Sequence, residues 1–569
     1  LENEINTKHV FWFIIAFLVV FIGGLFIDVI NIDAAQYAEI SREMKEGGNF
    51  LQVHLQGRDY LDKPPLLFWL SAFSFKIFGI HNWSYKLPSF LFAILGIYST
   101  KKIGELLYDV KTGMVAALML ISSLGILIMT NDIRTDTILL GSTIFATWQL
   151  LVFTKTKSWK SLILGFVGVG LAMLAKGPLG LVLPAMAVGS ELVYKREWKK
   201  IFQWQWLVGL VIVAIVLFPM CYGLYEQFDL HPEKTVNEET GVSGLKFYFW
   251  TQSFGRITGS SQWGTKFDNG AGPFFFTHTF LWTFFPWCLL VVGGLIESFI
   301  VLIRNKFRKD ALPELLSVGG FVLIFIALSA SRYKLPHYIF VTLPFAAIIA
   351  SRFLLHTILT PSKKMLLYLF QVLHWKFFAA MTFLICIFLF SFFSGASWWK
   401  MFFAFSGLIL GIFLAIKAKG SFQKLMYPLL AALLSLFFVA DFQFYPELLK
   451  YEATAVAGQL IADKKIPADD VFTYNDVTQF ALDFYSRENV VSTNLDSIKI
   501  SNRLKKYGAI YFYTDKEGYD KIKTTALKIS RVTELNDYSI QFLTLNFLKP
   551  SSRNSVLRKR YLLEVNGVQ

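Results

Sequence analysis

The chain has 569 residues, 17% of them charged and 54% hydrophobic, with 58 Phe. Soluble domains carry roughly 25% charged residues, so a set of globular domains of this length would lack the charge to cover its surface. The formal net charge of +15 would suit nucleic acid, but basic residues in so apolar a chain belong at the cytoplasmic ends of membrane helices. Composition therefore predicts a polytopic membrane protein that binds no nucleic acid. Cys221, Cys288 and Cys386 all sit in apolar runs without metal-ligand or redox spacing, which excludes a disulfide framework or thiolate metal site.

A membrane helix needs about 20 apolar residues. In chain order, such runs fall near residues 10–30, 87–107, 114–130, 137–153, 159–175, 177–194, 204–222, 276–303, 315–330, 335–355, 366–392, 398–416 and 425–441. That predicts about 13 transmembrane helices, the first retained as an anchor because no small-residue cleavage site follows it. The segment 64–80, PPLLFWLSAFSFKIFGI, is short and interrupted by Lys76. If it does not cross, the loops of one parity, with the N-terminus, hold 19 basic and 5 acidic residues, and the positive-inside rule makes them cytoplasmic. If it crosses, every later loop violates the rule, so it is expected to lie at the interface.

This topology predicts a membrane domain over residues 1–441, with external loops at 31–86 and 223–275, and a soluble external domain over 442–569. In the latter, 471–475, 509–514 and 529–535 alternate like strands, and the stretches around Gln479 and Asp520 have helical spacing. A small α/β fold is expected, with the basic segment 553–563 exposed to solvent.

The purposeful polar motifs all share the external face: NIDAAQYAEISREM (31–44), GRDYLDKPP (57–65), NDIRTD (131–136), AKGPLG (175–180), the loop 223–275 and SRYKLPHY (331–338). Asp33 directly follows the first span, where an ionisable group is costly and therefore a functional candidate, although Asp is also a favoured helix cap. The residues after it are spaced as an amphipathic helix on the membrane, with Ala35, Ala38 and Met44 on one side and Glu39, Arg42, Glu43 and Glu46 on the other. Lys63, Arg134, Lys176, Arg256, Arg332 and Lys334 are cations at the same boundary, suited together to phosphate or diphosphate. A carboxylate beside phosphate-binding cations points to a lipid phosphate as leaving group and a deprotonated hydroxyl as attacker. Nucleotide-binding and zinc-protease motifs are missing, and His278 and His337 read as packing residues rather than metal ligands. A secondary transporter or flippase is the competing class, but its ionisable groups would lie at the midplane and its halves would repeat.

The run from Asp33 to Gly79, DAAQYAEISREMKEGGNFLQVHLQGRDYLDKPPLLFWLSAFSFKIFG, resembles the first periplasmic loop of the bacterial lipid A aminoarabinose transferase and protein O-mannosyltransferase family, glycosyltransferase family 39, of GT-C fold. AKGPLGLVLP (175–184) and SRYKLPHYIFVTLP (331–344) match two further landmarks in order. The resemblance implies an inverting transferase of the bacterial inner membrane that takes a sugar from undecaprenyl phosphate to a periplasmic glycolipid, lipid A or protein hydroxyl. It implies Asp33 as catalytic base, and Tyr37, Tyr60 and Lys63 around the donor phosphate and sugar, with Arg134, Asp136, Lys176, Arg256 and Lys334 as further donor-site candidates. Asp62 stands where a relative has a Glu that helps bind a divalent metal. Departures from the pattern are Ala34, Gln36 and Ser253, the last where a metal-binding His is expected.

Overall fold

The computed structural model describes residues 5–236, 239–252, 255, 270–475, 480–493, 495, 500, 502–505 and 508–568. Among these, eight helices are long and apolar enough to cross a membrane, or up to ten if each of two bent pairs is one span. The expected thirteen runs all fall on helices. Those at Leu179–Tyr194 and Leu316–Ala330 are shorter apolar helices, and Asn82–Leu107 is not among the candidate spans. The segment expected at the interface forms the helix Leu66–Phe78, 13 residues long. At 1.5 Å per residue that is about 20 Å, short of a bilayer core of about 30 Å.

The bent pairs show how a broken helix survives in an apolar setting. Val110–Ile121 and Leu124–Asn131 meet at 55°, and Phe275–Thr283 and Cys288–Arg304 at 120° across Pro286, whose ring cannot continue a helix. The two breaks lie together. The Trp287 indole donates to Ser122 Oγ at 3.1 Å and Leu124 N to Phe285 O at 3.4 Å, so polar groups released by one break are met by the other. Elsewhere small residues let helices approach closely: a Cβ added at Gly141 would run into the Phe92 backbone oxygen. The central helix Thr135–Thr156 is therefore packed on nearly all sides, with 83% of its apolar window buried.

The basic loops of shared parity gather at one end. Lys155 donates to Leu106 O at 3.1 Å, Lys195 to Pro313 O at 2.9 Å, and Arg352 lies over the Tyr108 ring at 5.5 Å.

At the opposite end a five-stranded sheet has the order Val491–Ser492, Val471–Tyr474, Ile510–Asp515, Arg558–Val568, Leu527–Asp537. Its first three strands are parallel and the remaining pairings antiparallel. The helix Ser421–Leu449 region leads into it through Ala453–Asp463. The basic segment 553–563 corrects the expectation of a solvated tail. Its second half is an inner strand with Tyr561, Leu562 and Leu563 buried, because alternate residues face the two hydrophobic layers of the domain.

The helix after Asp33 also departs from expectation. Asp33–Gly47 is a helix, but Glu39 and Arg42 on its polar side are buried. It does not float on a membrane surface. One side packs on Leu66–Phe78 and the other on the helix Phe480–Ser486 of the sheet domain, and Arg42 bonds Glu39 while donating to Arg487 O at 3.0 Å.

Candidate active site

The site is assembled from helix ends and turns. Asp33 is the first residue of its helix and caps nothing, the N-cap position being Ile32. Its carboxylate, about 40% exposed, pairs instead with Arg134. Arg134 stands at the N-cap of Thr135–Thr156 and also donates through Nε to Asp132 Oδ2 at 2.9 Å. One guanidinium therefore bridges two carboxylates, the geometry for which its planar fork is suited. Burial opposes the charge on Arg134, but Asp132 and Asp33 outweigh it and hold the group above the ordinary arginine value. Burial pushes the Asp132 carboxyl up, against the pull of Arg134.

A hairpin positions the second group. His54–Leu55 pairs with Arg58–Asp59 through the turn Gln56-Gly57, both at positive φ (55° and 68°), the backbone a two-residue hairpin requires. Glu43 accepts from the Gly57 amide at 3.2 Å, tying the turn to the Asp33 helix. Gln227 clamps the hairpin from the segment Tyr225–Asp229, donating to Val53 O at 2.9 Å and to Asp59 Oδ1 at 2.8 Å. Burial of Asp59 is overcome by Gln227 and Lys234, so its carboxyl lies below the usual range. Beyond the hairpin, Tyr60, Asp62 and Lys63 precede the Pro64-Pro65 pair that starts Leu66–Phe78. Lys63 Nζ lies 2.7 Å from Asp62 Oδ2.

The KGP motif has a local explanation. Lys176 ends the helix Trp159–Lys176, Gly177 closes it at φ 72°, and Pro178 precedes the next helix. The ammonium thus sits at a helix C-terminus, where a cation is favoured, paired with Asp136 and 3.9 Å from the centroid of the Tyr338 ring. His337 Nε2 lies 3.7 Å from the other Asp136 oxygen. The turn Pro336–Thr342 carries it, with its ring edge-on to Tyr338 at a centroid distance of 5.0 Å.

Tyr37 joins these groups. Its phenol is buried, and burial, followed by the fields of Tyr60, Asp33 and Asp62, keeps it protonated well above its ordinary value. Tyr37 and Tyr60 both pack on Phe68, at centroid distances of 5.7 and 5.9 Å.

Next to them opens a cavity of about 320 Å³. Lys63, Asp136, Lys176, Gln252 and Tyr338 form its polar end. Its walls are apolar, from Leu179, Val182, Leu183 and Met186 on one helix and Ile324, Ala327 and Leu328 on another. From Leu179 to Met186 the wall descends about 10 Å at 1.5 Å per residue.

The fold therefore brings together Asp33, Tyr37, Tyr60, Lys63, Arg134, Asp136 and Lys176. Lys334 is buried but donates to Ala271 O at 3.1 Å and does not line this cavity. Arg256 and Ser253 lie outside the described residues. Among the described residues no three His, Cys, Asp or Glu side chains gather to hold a metal ion. Asp62 has Lys63 for a close neighbour. Asp132, Gln252 and Tyr338 were not singled out from sequence. Only the two-residue offset of Asp132 from Arg134 in NDIRTD could have signalled the first.

Residues 62–222 match the family model described as dolichyl-phosphate-mannose-protein mannosyltransferase. An undecaprenyl phosphate-alpha-4-amino-4-deoxy-L-arabinose arabinosyl transferase of Shewanella sediminis is 28% identical over 202 residues, covering 33% of this chain and 36% of the relative. A second such transferase, of Proteus mirabilis, is 24% identical over 321 residues, covering 55% and 52%. The match thus spans about a third to a half of these curated relatives. The crystal structure of ArnT from Cupriavidus metallidurans bound to undecaprenyl phosphate superposes over 98% of each chain with a TM-score of 0.69 at 18% identity, which establishes the GT-C fold.

Proposed function

From its relation to the GT-C aminoarabinose and protein mannosyl transferases, we propose that this chain transfers a sugar from a polyprenyl phosphate to a hydroxyl acceptor outside the cytoplasm. The observation that carries this reading is the cavity with two lysines at its polar end and apolar walls running down two short apolar helices. A polyprenyl phosphate has that chemistry along its length, an anionic head on a hydrocarbon chain. The relative crystallised with undecaprenyl phosphate supports the same assignment.

In the proposed step, Lys63 and Lys176 hold the donor phosphate and stabilise the charge that builds on it as the bond to the anomeric carbon breaks. The acceptor oxygen forms the new bond on the opposite side of that carbon, inverting it. Its proton passes to the Asp33 carboxylate, and polyprenyl phosphate leaves as the anion. Arg134 orients Asp33, and Asp132 shares the guanidinium so that Asp33 is not its only carboxylate. Protonated Tyr37 holds the floor of the site as a neutral group. The basic loops gathered at the far end support a site on the non-cytoplasmic side, by the positive-inside rule.

Mass spectrometry of glycolipids and glycoproteins from cells with and without the gene tests the reading. A sugar missing from one class in the deletion strain, restored by the wild type and not by Asp33→Asn, is expected. Full restoration by Asp33→Asn would remove Asp33 as the base.

A further inference from the structure

One segment of the sheet domain carries large apolar side chains that no core takes up. It is the connection 538–557 between the strands Leu527–Asp537 and Arg558–Val568, and its tip reads Phe542-Leu543-Thr544-Leu545. Phe542 is 75% exposed and Leu545 65%. The exposure follows from the local geometry. In the short helix Leu545–Leu548 the inward residue is Phe547, fully buried, and at 3.6 residues per turn Leu545 stands nearly opposite it.

The flanks of the tip fix its height. On one side Gln541 Nε2 donates to Asn31 O at 3.1 Å, and the Asn31 amide donates to Glu452 Oε1 at 3.1 Å, just beyond the end of the first span, Thr7–Gly24. On the other side Phe547 stacks on Tyr538 at 3.8 Å and clusters with Phe393 and Leu448. Arg553 donates to Phe392 O and lies 4.7 Å from the centroid of the Phe393 ring. Phe392 is the last residue of the span Pro361–Phe392, and Leu448 lies in the last turn of Ser421–Leu449. The connection is therefore pinned to the same ends of three apolar helices, which is the level of the bilayer boundary. Phe26, just past the first span, and Trp398, the first residue of the span Trp398–Lys417, are exposed at the same ends. Aromatic side chains collect at that level in membrane proteins. Lys549, exposed after the short helix, can lay its stem along apolar surface and keep its ammonium among headgroups.

We propose that residues 542–545 insert into the bilayer boundary beside these helix ends, so that the sheet domain is seated on lipid as well as on protein. The partner is the lipid surface that already surrounds the three helices, and the tip extends their apolar face. This goes beyond the transferase reading and holds whether or not sugar is transferred. The domain that packs on the Asp33 helix would then have a second hold, outside the protein.

Spin labelling of the full-length chain in phosphatidylcholine–phosphatidylglycerol vesicles tests the seat. In a Cys221→Ala/Cys288→Ala/Cys386→Ala background, nitroxides are placed at Phe542→Cys and Leu545→Cys and, for comparison, at Lys523→Cys, exposed on the helix Lys516–Lys523 of the same domain. The ratio of collisions with oxygen, which concentrates in lipid, to collisions with a water-soluble nickel chelate is expected to be severalfold higher at 542 and 545 than at 523. Equal ratios at the three positions would put the tip in water and overturn the proposal. Labels at 542 and 545 shielded from both reagents would overturn it too, placing a second protein over the tip. Should the cysteine-free background fold poorly, hydrogen exchange of residues 541–546 in the same vesicles carries the test with the native cysteines. The wild type should exchange severalfold more slowly than Phe542→Ser/Leu543→Ser/Leu545→Ser, and equal rates would refute insertion.

Discussion

Arg42 offers the sharpest test of how the sheet domain holds the Asp33 helix. Its side chain is 3% exposed and that of Glu39 is wholly buried. The guanidinium donates to both Glu39 oxygens, at 2.8 and 2.5 Å, and to Glu46, the Arg487 carbonyl and Asn489. Burial opposes its charge, but the hydrogen bonds and field of Glu39 and the field of Glu46 hold it above the ordinary arginine value. Arg42→Leu would leave the Glu39 carboxyl, which burial already pushes up to about 8 against the pull of Arg42, without its partner, and would sever two bonds to the sheet domain. Removing one member of a buried ion pair costs about 3–5 kcal/mol, which corresponds to a rise of about 100- to 1,000-fold or more in the open population at 1.4 kcal/mol per decade. Glu46 is half exposed and can turn to water, so it adds little. Hydrogen exchange in detergent is the assay, read on residues 33–47 and 480–493. The Glu39→Leu/Arg42→Leu variant should recover most of the lost protection, because apolar replacement of a whole buried pair is often near neutral. Unchanged protection in Arg42→Leu, or a double variant as labile as the single one, would refute the lock.

Four other outcomes are expected. Asp33→Asn should lower kcat about 100- to 10,000-fold with the protein still folded, the range for loss of a general base, as measured by sugar transfer in detergent. Lys63→Ala should raise the donor KM about tenfold or more by removing a charged phosphate contact; an unchanged KM and kcat would detach Lys63 from the donor. Gly177→Val should destabilise by about 1–3 kcal/mol, because its φ of 72° with ψ of −158° lies in a region open essentially to glycine alone, and should weaken donor use by shifting Lys176, seen as a lower melting temperature with a raised KM. The junction should weaken with rising pH. Burial lifts Glu452 from 4.5 to about 8 and Asp483 from 3.8 to about 7, so between those values the native state keeps protons that the unfolded chain has lost. Stability is full below about pH 4 and falls as pH climbs through 7 to 8. Glu452→Gln should flatten the melting temperature across that window, and an unaltered slope would show that Glu452 is not responsible.

Much of the architecture was legible in the sequence because its signals are local. Apolar runs of near-bilayer length mark helices whatever their neighbours, and each expected run falls on one. The short segment 64–80 could be set aside as non-crossing from loop charge, and the structure gives it 13 helical residues. Asp33 stood out as an ionisable group directly after the first span, and Tyr60 and Lys63 as polar residues just before a rigid Pro-Pro pair. The strands at 471–475 and 509–514 announced themselves by alternation and were found.

What needed the folded molecule is whatever depends on charge meeting charge from distant positions. The helix after Asp33 has the spacing of a membrane-surface helix, yet its polar side faces partners some 440 residues away, as in the Arg42–Arg487 bond. Hydrophobic periodicity records only that one side differs from the other, and a buried salt-bridge network shows the same period as a wet surface. Likewise His337 comes within 3.7 Å of Asp136, a residue far from it in the chain. The sequence by itself determined a succession of apolar helices with the polar motifs in the loops between them, since partition into a bilayer is decided residue by residue. Only the tertiary structure decided that Arg134 joins Asp33 to Asp132, that two lysines cap one apolar cavity, and that the sheet domain packs against the helix that starts at Asp33. Those are long-range electrostatic and packing choices, which no local pattern encodes.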